Sequence, residues 1–325
     1  MLTFAENNNE KYSCLFVSYS YSSRYIYHAT SYNEDTDWQS NITKHETRQN
    51  MIDFPIAKIN LGLNIVSKRS DGYHNLETVF YPVPITDALE IQLMDDKFPS
   101  TVRCDLKVTN MEIGGCEQDN LIVRAYKLLS ERFPLPRIHA HLFKGIPMQA
   151  GMGGGSSDCA SMIKLLNNMF NLGMSNEEMI DFAMKLGADC PFFILGTPQY
   201  AEGIGEKLEP IEIDLHGWTL AVVCPKIPVS TKEAFSCIKP CRTKIKCREI
   251  IKRPVETWRG HLNNDFEESV FAMHPEIGSI KQKLYDIGAT YASMSGSGSS
   301  VYGLFHSAIN LEGLFGDAFT HTCVL

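Results

Sequence analysis

The sequence predicts an α+β protein of two compact parts, and three observations lead there. Segments with apolar residues at period two occur in mixed order with segments at period 3.6, the marks of strands and helices in one chain. A length of 325 residues, with 44% apolar and 21% charged side chains, is enough to bury two ordinary cores. The stretch near residues 210–215 separates two element-rich halves and marks a boundary. The expected divisions are an extension at 1–50, a first domain at 51–212 and a second at 213–325, with the active site in the cleft between the two domains.

Residues 1–50 hold six of the chain's thirteen tyrosines and seven serines, few aliphatics and no sustained periodicity, so poor order is expected there. Met51 stands directly before the patterned sequence, which leaves two readings open: a natural start at Met51, or a regulatory extension. Residues 56–65 alternate. Ala57, Ile59, Leu61, Leu63 and Ile65 fall on one face of a strand, while Ile56, Lys58, Asn60, Gly62 and Asn64 fall on the other. Lys58 and Asn60 therefore point the same way, although a single lysine on a strand face is ordinarily a solvated residue. A turn at 68–72 leads to Tyr73-His74, which suit either a base-recognition site or plain packing, and then to a β-branched run at 78–83. Strands follow at 88–93 and 103–108.

Asp119-Asn120 precedes an apolar-periodic helix at 121–129, with Asn120 as its cap. Residues 139–143 read as a strand, and 158–170 as a helix closed by Gly173. Ser175 and Glu178 form a capping box for a helix at 179–186. Pro191 biases Cys190 toward an extended backbone, so Asp189 is expected where a helix gives way to a strand at 192–195. A glycine-rich hairpin (196–205), a buried strand (218–224), a short helix capped by Ser230-Thr231 and an exposed basic segment (239–253) come next. Asn263-Asn264-Asp265-Phe266-Glu267, a helix at 276–287, and strands at 290–293 and 301–305 complete the pattern. Between these last strands, residues 294–300 (MSGSGSS) form a small-residue loop that is either a simple turn or a second glycine motif.

The most informative stretch is 147–158, PMQAGMGGGSSD. Gly151, Gly153, Gly154 and Gly155 can turn backbone N–H groups toward an anion, and the helix that follows aims its positive end the same way. Ser156 and Ser157 add hydroxyls suited to phosphate oxygens or to a magnesium ion. A Walker A loop is excluded because Ser156, not lysine, follows Gly155. The dinucleotide fingerprint fails because Ser156 stands where its third glycine belongs, and no protein-kinase triplets occur. A flexible linker would not run straight into an amphipathic helix.

Four segments, PIAKINL at 55–61, RSDGYHNLET at 69–78, the glycine loop at 147–157 and GADCP at 187–191, together resemble the GHMP kinase superfamily, and the likeness runs from about residue 53 to about residue 305. It implies a two-domain fold, with an N-terminal ribosomal-protein-like α/β domain and a C-terminal ferredoxin-like domain. It implies ATP as donor, with Mg²⁺, bound by Pro147, Met148, Gln149, Ala150, Gly151, Met152, Gly153, Gly154, Gly155, Ser156 and Ser157, the last a magnesium ligand. Lys58 and Asp189 become the catalytic pair, Asp189 either taking the acceptor's proton or mainly positioning its hydroxyl. Asn60, Tyr73 and His74 would bind the acceptor, and Asn120 would cap its helix or touch adenine. Residues 294–300 would brace the donor loop. The Asp-Gly-Tyr-His stretch points to the branch that phosphorylates the 2-hydroxyl of a cytidine-diphosphate-linked methylerythritol on the non-mevalonate route to isoprenoid precursors. Homoserine, mevalonate or sugar kinases are the alternatives within the superfamily, and a silent nucleotide sensor would dispense with the Lys58 and Asp189 pair.

A formal charge of −8 argues against a nucleic-acid surface, and no run of eighteen apolar residues suggests a membrane span. The N-terminus lacks the basic and apolar regions of a secretory signal. Ten scattered cysteines in so long a chain read as reduced thiols. The closest group, Cys237, Cys241 and Cys247, has the wrong steps for a zinc knuckle. The expectation is a cytoplasmic enzyme acting on small molecules, without nucleic-acid or membrane partners, as a monomer or weak homodimer.

Overall fold

The structure, a computed structural model, describes residues 50–112, 114–236, 238 and 245–325. Its first half runs through strands β1 (Asn50–Asp53), β2 (Ile56–Lys68), β3 (His74–Thr86), β4 (Ala88–Leu93) and β5 (Cys104–Thr109). Helix α1 (Leu121–Ser130), strand β6 (Ile138–Phe143) and helices α2 (Gly154–Met169), α3 (Asn176–Met184) and α4 (Cys190–Leu195) follow, then strands β7 (Gln199–Gly203) and β8 (Lys207–Pro210). The second half holds β9 (Thr219–Cys224), the short helices α5 (Thr231–Ser236) and α6 (Cys247–Ile250), helices α7 (Phe266–Met273) and α8 (Pro275–Asp286), and strands β10 (Tyr291–Met294), β11 (Val301–Phe305) and β12 (Phe319–Val324).

Among the described residues these strands build three four-stranded sheets, ordered β1-β4-β6-β5, β2-β3-β7-β8 and β10-β11-β9-β12. In the first, β5 and β6 run parallel, which requires a crossover, and α1 supplies it. The third is antiparallel throughout and, counted in chain order, has the 4-1-3-2 arrangement of a ferredoxin-like sheet.

Each sheet buries the face its alternation makes apolar. Leu89, Ile91, Ala140 and Leu142 pack under Ile122, Ile163, Leu166 and Phe182 of the helices. Ala57, Ile59 and Leu61 of β2 meet Leu220 and Val222 of β9 and Leu304 of β11, so the second and third sheets share a core. Strand β9 sends its intervening residues, Ala221 and Val223, the other way onto Val270 of α7 and Ile277 and Leu284 of α8. Covered on both faces, all six of its residues are buried. Each fully buried aliphatic contributes about 1.5–3 kcal/mol, so these three cores fix the sheets relative to one another.

The caps fall where they were expected. Asn120 accepts a bond from the Ile122 N–H at the start of α1, and Ser175 and Glu178 make the reciprocal capping box of α3. Elsewhere the structure departs from the sequence reading. Residues 192–195 are helical, because Pro191 stands in the first turn of α4, where its missing N–H costs nothing, and Phe192 and Phe193 turn into the first core. Helix α2 begins at Gly154, four residues before the expected start, since the backbone is already helical after the turn at Gly153. Of the segment expected to be exposed at 239–253, residues 239–244 are outside the described residues; beyond them Ile245, Lys246, Glu249, Lys252 and Arg253 are exposed as expected, while α6 turns Cys247 and Ile250 inward. Cys237 and Cys241 lie outside the described residues, as does the expected extension apart from Asn50, which pairs with Gln92 in the sheet. Among the described residues no helix is long and apolar enough to cross a membrane.

Candidate active site

Alternation on β2 decides the first feature of the site. With Ala57, Ile59 and Leu61 committed to the core, Lys58 and Asn60 face the opposite side, beside Gly153 and Gly296 of the two small-residue loops, and are only 3% and 2% exposed. Lys58 is therefore not the solvated residue that a lone strand lysine ordinarily is. The Lys58 ammonium donates to Asn60 Oδ1 at 2.6 Å, sits 3.8 Å from Asp189 Oδ2 and lies 5.0 Å from the Phe80 ring centre. Asn60 Nδ2 donates to Thr78 Oγ1 at 2.9 Å, and Thr78 in turn donates to the Gly62 carbonyl at 2.5 Å, which fixes the amide's orientation. Burial lowers the Lys58 pKa, while the Asp189 charge opposes that shift. The result is a positioned ammonium that gives up its proton more readily than an exposed lysine.

Asp189 stands at the start of α4 but makes no capping bond, so its carboxylate is left to the cavity, with 36% of the side chain exposed.

The glycine loop is shaped by backbone turns of the left-handed kind at Gln149, Gly151 and Gly153, with φ of 51°, 72° and 71°. A Cβ at Gly151 would stand 1.9 Å from the Ser295 carbonyl oxygen, and one at Gly153 would stand 2.7 Å from the Phe193 ring. Neither position has room for a side chain. The second small-residue loop braces the first: Ser295 Oγ donates to the Gly151 carbonyl at 2.9 Å, and Ser300 N donates to the Ala150 carbonyl at 3.1 Å. Ser295 Oγ also accepts from Asn60 N at 3.3 Å, and Lys58 N donates to the Met152 carbonyl at 3.0 Å. Donor loop, second loop and β2 are thereby one hydrogen-bonded unit.

Tyr73 and His74 line the same cavity as Lys58, Asn60 and Asp189. The turn ahead of them is held by the Arg69–Asp71 ion pair at 2.7 Å and by Tyr73 N donating to Asp71 Oδ1 at 3.1 Å. The Tyr73 ring is 62% exposed. His74 stacks on Phe235, with ring centres 4.7 Å apart and an interplanar angle of 14°. Burial, and then the Lys68 charge, hold its imidazole below the ordinary pKa, which favours the neutral ring at pH 7.

One cavity of about 1120 Å³ is lined by Lys58, Asn60, Tyr73, His74, Asp189 and the second loop's Gly296, Ser297 and Gly298. On the other side of the glycine loop, a cavity of about 370 Å³ is lined by Asn120, Lys144, Pro147, Met148, Gly154, Gly155 and Ser156, while Gln149, Gly151 and Gly153 border both. Met152 lines neither cavity, its side chain being buried in the shared core. Ser157, the expected magnesium ligand, is 2% exposed and lies outside both linings, because the early start of α2 turns it inward and leaves Ser156 at the cavity. Thr78, Phe80 and Phe235 were missed in the sequence. Thr78 closes the 69–78 motif and was open to notice, whereas nothing local marks Phe80 or Phe235, which the fold brings there.

Residues 120–197 match the family pattern described as the GHMP kinases N terminal domain, and residues 249–312 match GHMP kinases C terminal. The chain is 53% identical over 255 residues to a 4-diphosphocytidyl-2-C-methyl-D-erythritol kinase of Bacteroides fragilis, covering 78% of this chain and 92% of that one. It is 54% identical over 258 residues to the kinase of the same name from Bacteroides thetaiotaomicron, with the same coverage. A crystal structure of 4-(cytidine 5'-diphospho)-2C-methyl-D-erythritol kinase superposes with a TM-score of 0.67 at 29% identity, over 84% of this chain and 98% of that one. A homoserine kinase from Cytophaga hutchinsonii shares the fold at 14% identity, with a TM-score of 0.58 over 87% of this chain and 96% of that one.

Proposed function

This chain belongs to the 4-diphosphocytidyl-2-C-methyl-D-erythritol kinases of the GHMP kinase family, and on that premise we propose how its residues carry out the family's reaction. The enzyme transfers the γ-phosphoryl group of ATP to the 2-hydroxyl of 4-diphosphocytidyl-2-C-methyl-D-erythritol, a step toward isoprenoid precursors. The observation that carries the residue assignment is the meeting of Lys58, Asn60 and Asp189 on the floor of a cavity bordered by the glycine loop.

Phosphoryl transfer asks chiefly for alignment and for neutralisation of charge. Residues 147–156 hold the triphosphate with backbone N–H groups and the positive end of α2, and the smaller cavity beyond the loop takes the base near Asn120. Asp189 orients the acceptor hydroxyl and receives its proton as the bond to phosphorus forms. The Lys58 ammonium, held by Asn60 and drawn toward Asp189, stabilises charge developing on the attacking oxygen. Tyr73 and His74 hold the cytosine, the neutral imidazole offering one donor and one acceptor to the base edge. Residues 51–212 supply the reacting groups, and residues 213–325 supply the second loop that braces the donor loop.

The hydroxyl of Ser156 and the open cavity beside it suit Mg²⁺, a hard cation that keeps water and phosphate oxygens as its main ligands; when bound it neutralises the phosphates. The enzyme is read as cytoplasmic, and as a monomer or weak homodimer that sedimentation would distinguish.

Coupled ADP release tests the assignment, with Mg-ATP and the cytidyl acceptor set against homoserine and mevalonate. Turnover confined to the cytidyl compound is expected, and turnover with homoserine or mevalonate alone would overturn the reading.

A further inference from the structure

We propose that Asp87, Lys144 and Asp158 form a buried ionic clamp that joins the two ends of the glycine loop and so sets the enzyme's affinity for the nucleotide donor. The proposal rests on reading residues 147–157 as the donor loop. All three side chains are withdrawn from water, at 1%, 2% and 4% exposure. Lys144 stands just beyond β6, on the way into the loop; its ammonium is paired with Asp87 Oδ2 and lies 2.9 Å from Asp158 Oδ2. Asp158 belongs to the first turns of α2, on the way out of the loop. One cation thus ties entry to exit.

Asp87 adds a second hold on the entry. It occupies the single residue between β3 and β4, and its Oδ1 accepts from Gly145 N at 2.7 Å and from Ile146 N at 2.8 Å, directly ahead of Pro147. Its own N–H donates to the Pro55 carbonyl at 2.9 Å, next to the start of β2. The clamp therefore refers the donor loop to the strand that carries Lys58, so the donor end and the reacting end share one anchor.

Between the clamped ends the chain passes through left-handed backbone at Gln149, Gly151 and Gly153. Conformations of that kind persist only where the surroundings over-determine them. Stability alone does not call for charges here, because apolar side chains of the same volume commonly serve a core as well or better. The cluster is also unbalanced. Two carboxylates share one ammonium, and Asp158 Oδ1 has no hydrogen-bond partner among the described residues. Burial pushes the Asp158 carboxyl above its ordinary range, and Lys144 pulls it back. Directional ionic contacts give a single register, where apolar contacts would let the loop slide, and a preorganised loop binds its ligand without ordering it first.

Asp158→Leu is the variant of choice, because it leaves Lys144 and Asp87 as a balanced pair and fills the same space. Calorimetric titration with Mg-ATP, together with steady-state kinetics, should show the dissociation constant and the KM for ATP rising about tenfold, with kcat at saturating ATP and the acceptor KM held within about twofold. Asp87→Asn, which keeps the acceptor for Gly145 and Ile146 but sets an amide against the ammonium, should move the same constants the same way, and it carries the test if Asp158→Leu does not fold. A folded variant that binds Mg-ATP as the parent does overturns the clamp. So does a variant whose melting temperature falls without any change in ATP affinity, since that is the signature of a purely structural cluster. A parent enzyme that does not bind Mg-ATP at all overturns the reading of the loop itself, and the clamp with it.

Discussion

The donor loop and the floor of the acceptor cavity meet within a few ångströms, yet they are built on opposite principles. The loop offers backbone: from residue 150 to 155 its side chains are glycine, alanine or the buried Met152, and its shape comes from positive φ at Gln149, Gly151 and Gly153. The floor offers side chains, namely Lys58, Asn60 and Thr78 in a chain of bonds between 2.5 and 2.9 Å on regular β strands, with Asp189 at a helix start. A triphosphate is large, spreads its charge over many oxygens and is well matched by many weak N–H donors. A single hydroxyl that must react calls for one base and one cation at fixed positions, and rigid strands hold such positions better than loops do. The difference between the two regions follows from what each has to hold.

Substitutions should separate the regions accordingly. The largest effect is expected on the floor, where Asp189→Ala removes the proton acceptor: kcat falls by about 10³, within the usual range for general-base removal, while ATP affinity by calorimetry stays near that of the parent. Near-normal turnover in that variant would take Asp189 out of the mechanism.

In the loop, Gly153→Ala places a Cβ 2.7 Å from the Phe193 ring at a φ of 71°. Strain of about 1–3 kcal/mol should weaken ATP binding by roughly five- to 150-fold, with the acceptor KM much less affected. An equal loss on both substrates would blur the division drawn here.

Lys58 sharpens the comparison through pH. Burial lowers its pKa below the ordinary 10.5, so the ammonium, and turnover with it, is lost as pH rises through that lowered value. Lys58→Arg keeps its charge throughout, and should cost about tenfold in kcat while abolishing this alkaline limb. Persistence of the limb in a pH–rate profile would assign it to another group. The smallest effect is expected at the exposed ring, where Tyr73→Ala should raise the acceptor KM by about two- to tenfold, the worth of one aromatic contact, and leave ATP affinity alone.

How much of this was legible in the sequence depends on how local each cause is. The period of β2 put Lys58 and Asn60 on one face, and the caps at Asn120 and Ser175 marked two helix starts, because side-chain direction and capping are decided within a few residues. The glycine loop could be read as an anion cradle for the same reason. Asp189 was placed in a motif but not in its correct surroundings, since a proline before an apolar run fits the first turn of a helix as well as the start of a strand, and only packing of Phe192 and Phe193 into the first core settles it. The loop gives no sign of where α2 begins, so the sequence could not tell that its start at Gly154 turns Ser157 inward and leaves Ser156 at the cavity.

The sequence by itself determined most element types, though not that of 192–195, together with the strand face that carries Lys58 and Asn60 and the two small-residue loops, all consequences of period and backbone freedom over short spans. Only the tertiary structure decided that Lys58 is buried, that its ammonium meets an aspartate 131 positions away, that Ser295 braces Gly151, and that Asp87, Lys144 and Asp158 share one pocket. Those meetings depend on which apolar faces find each other when the sheets and helices pack, and no single stretch of chain contains that information.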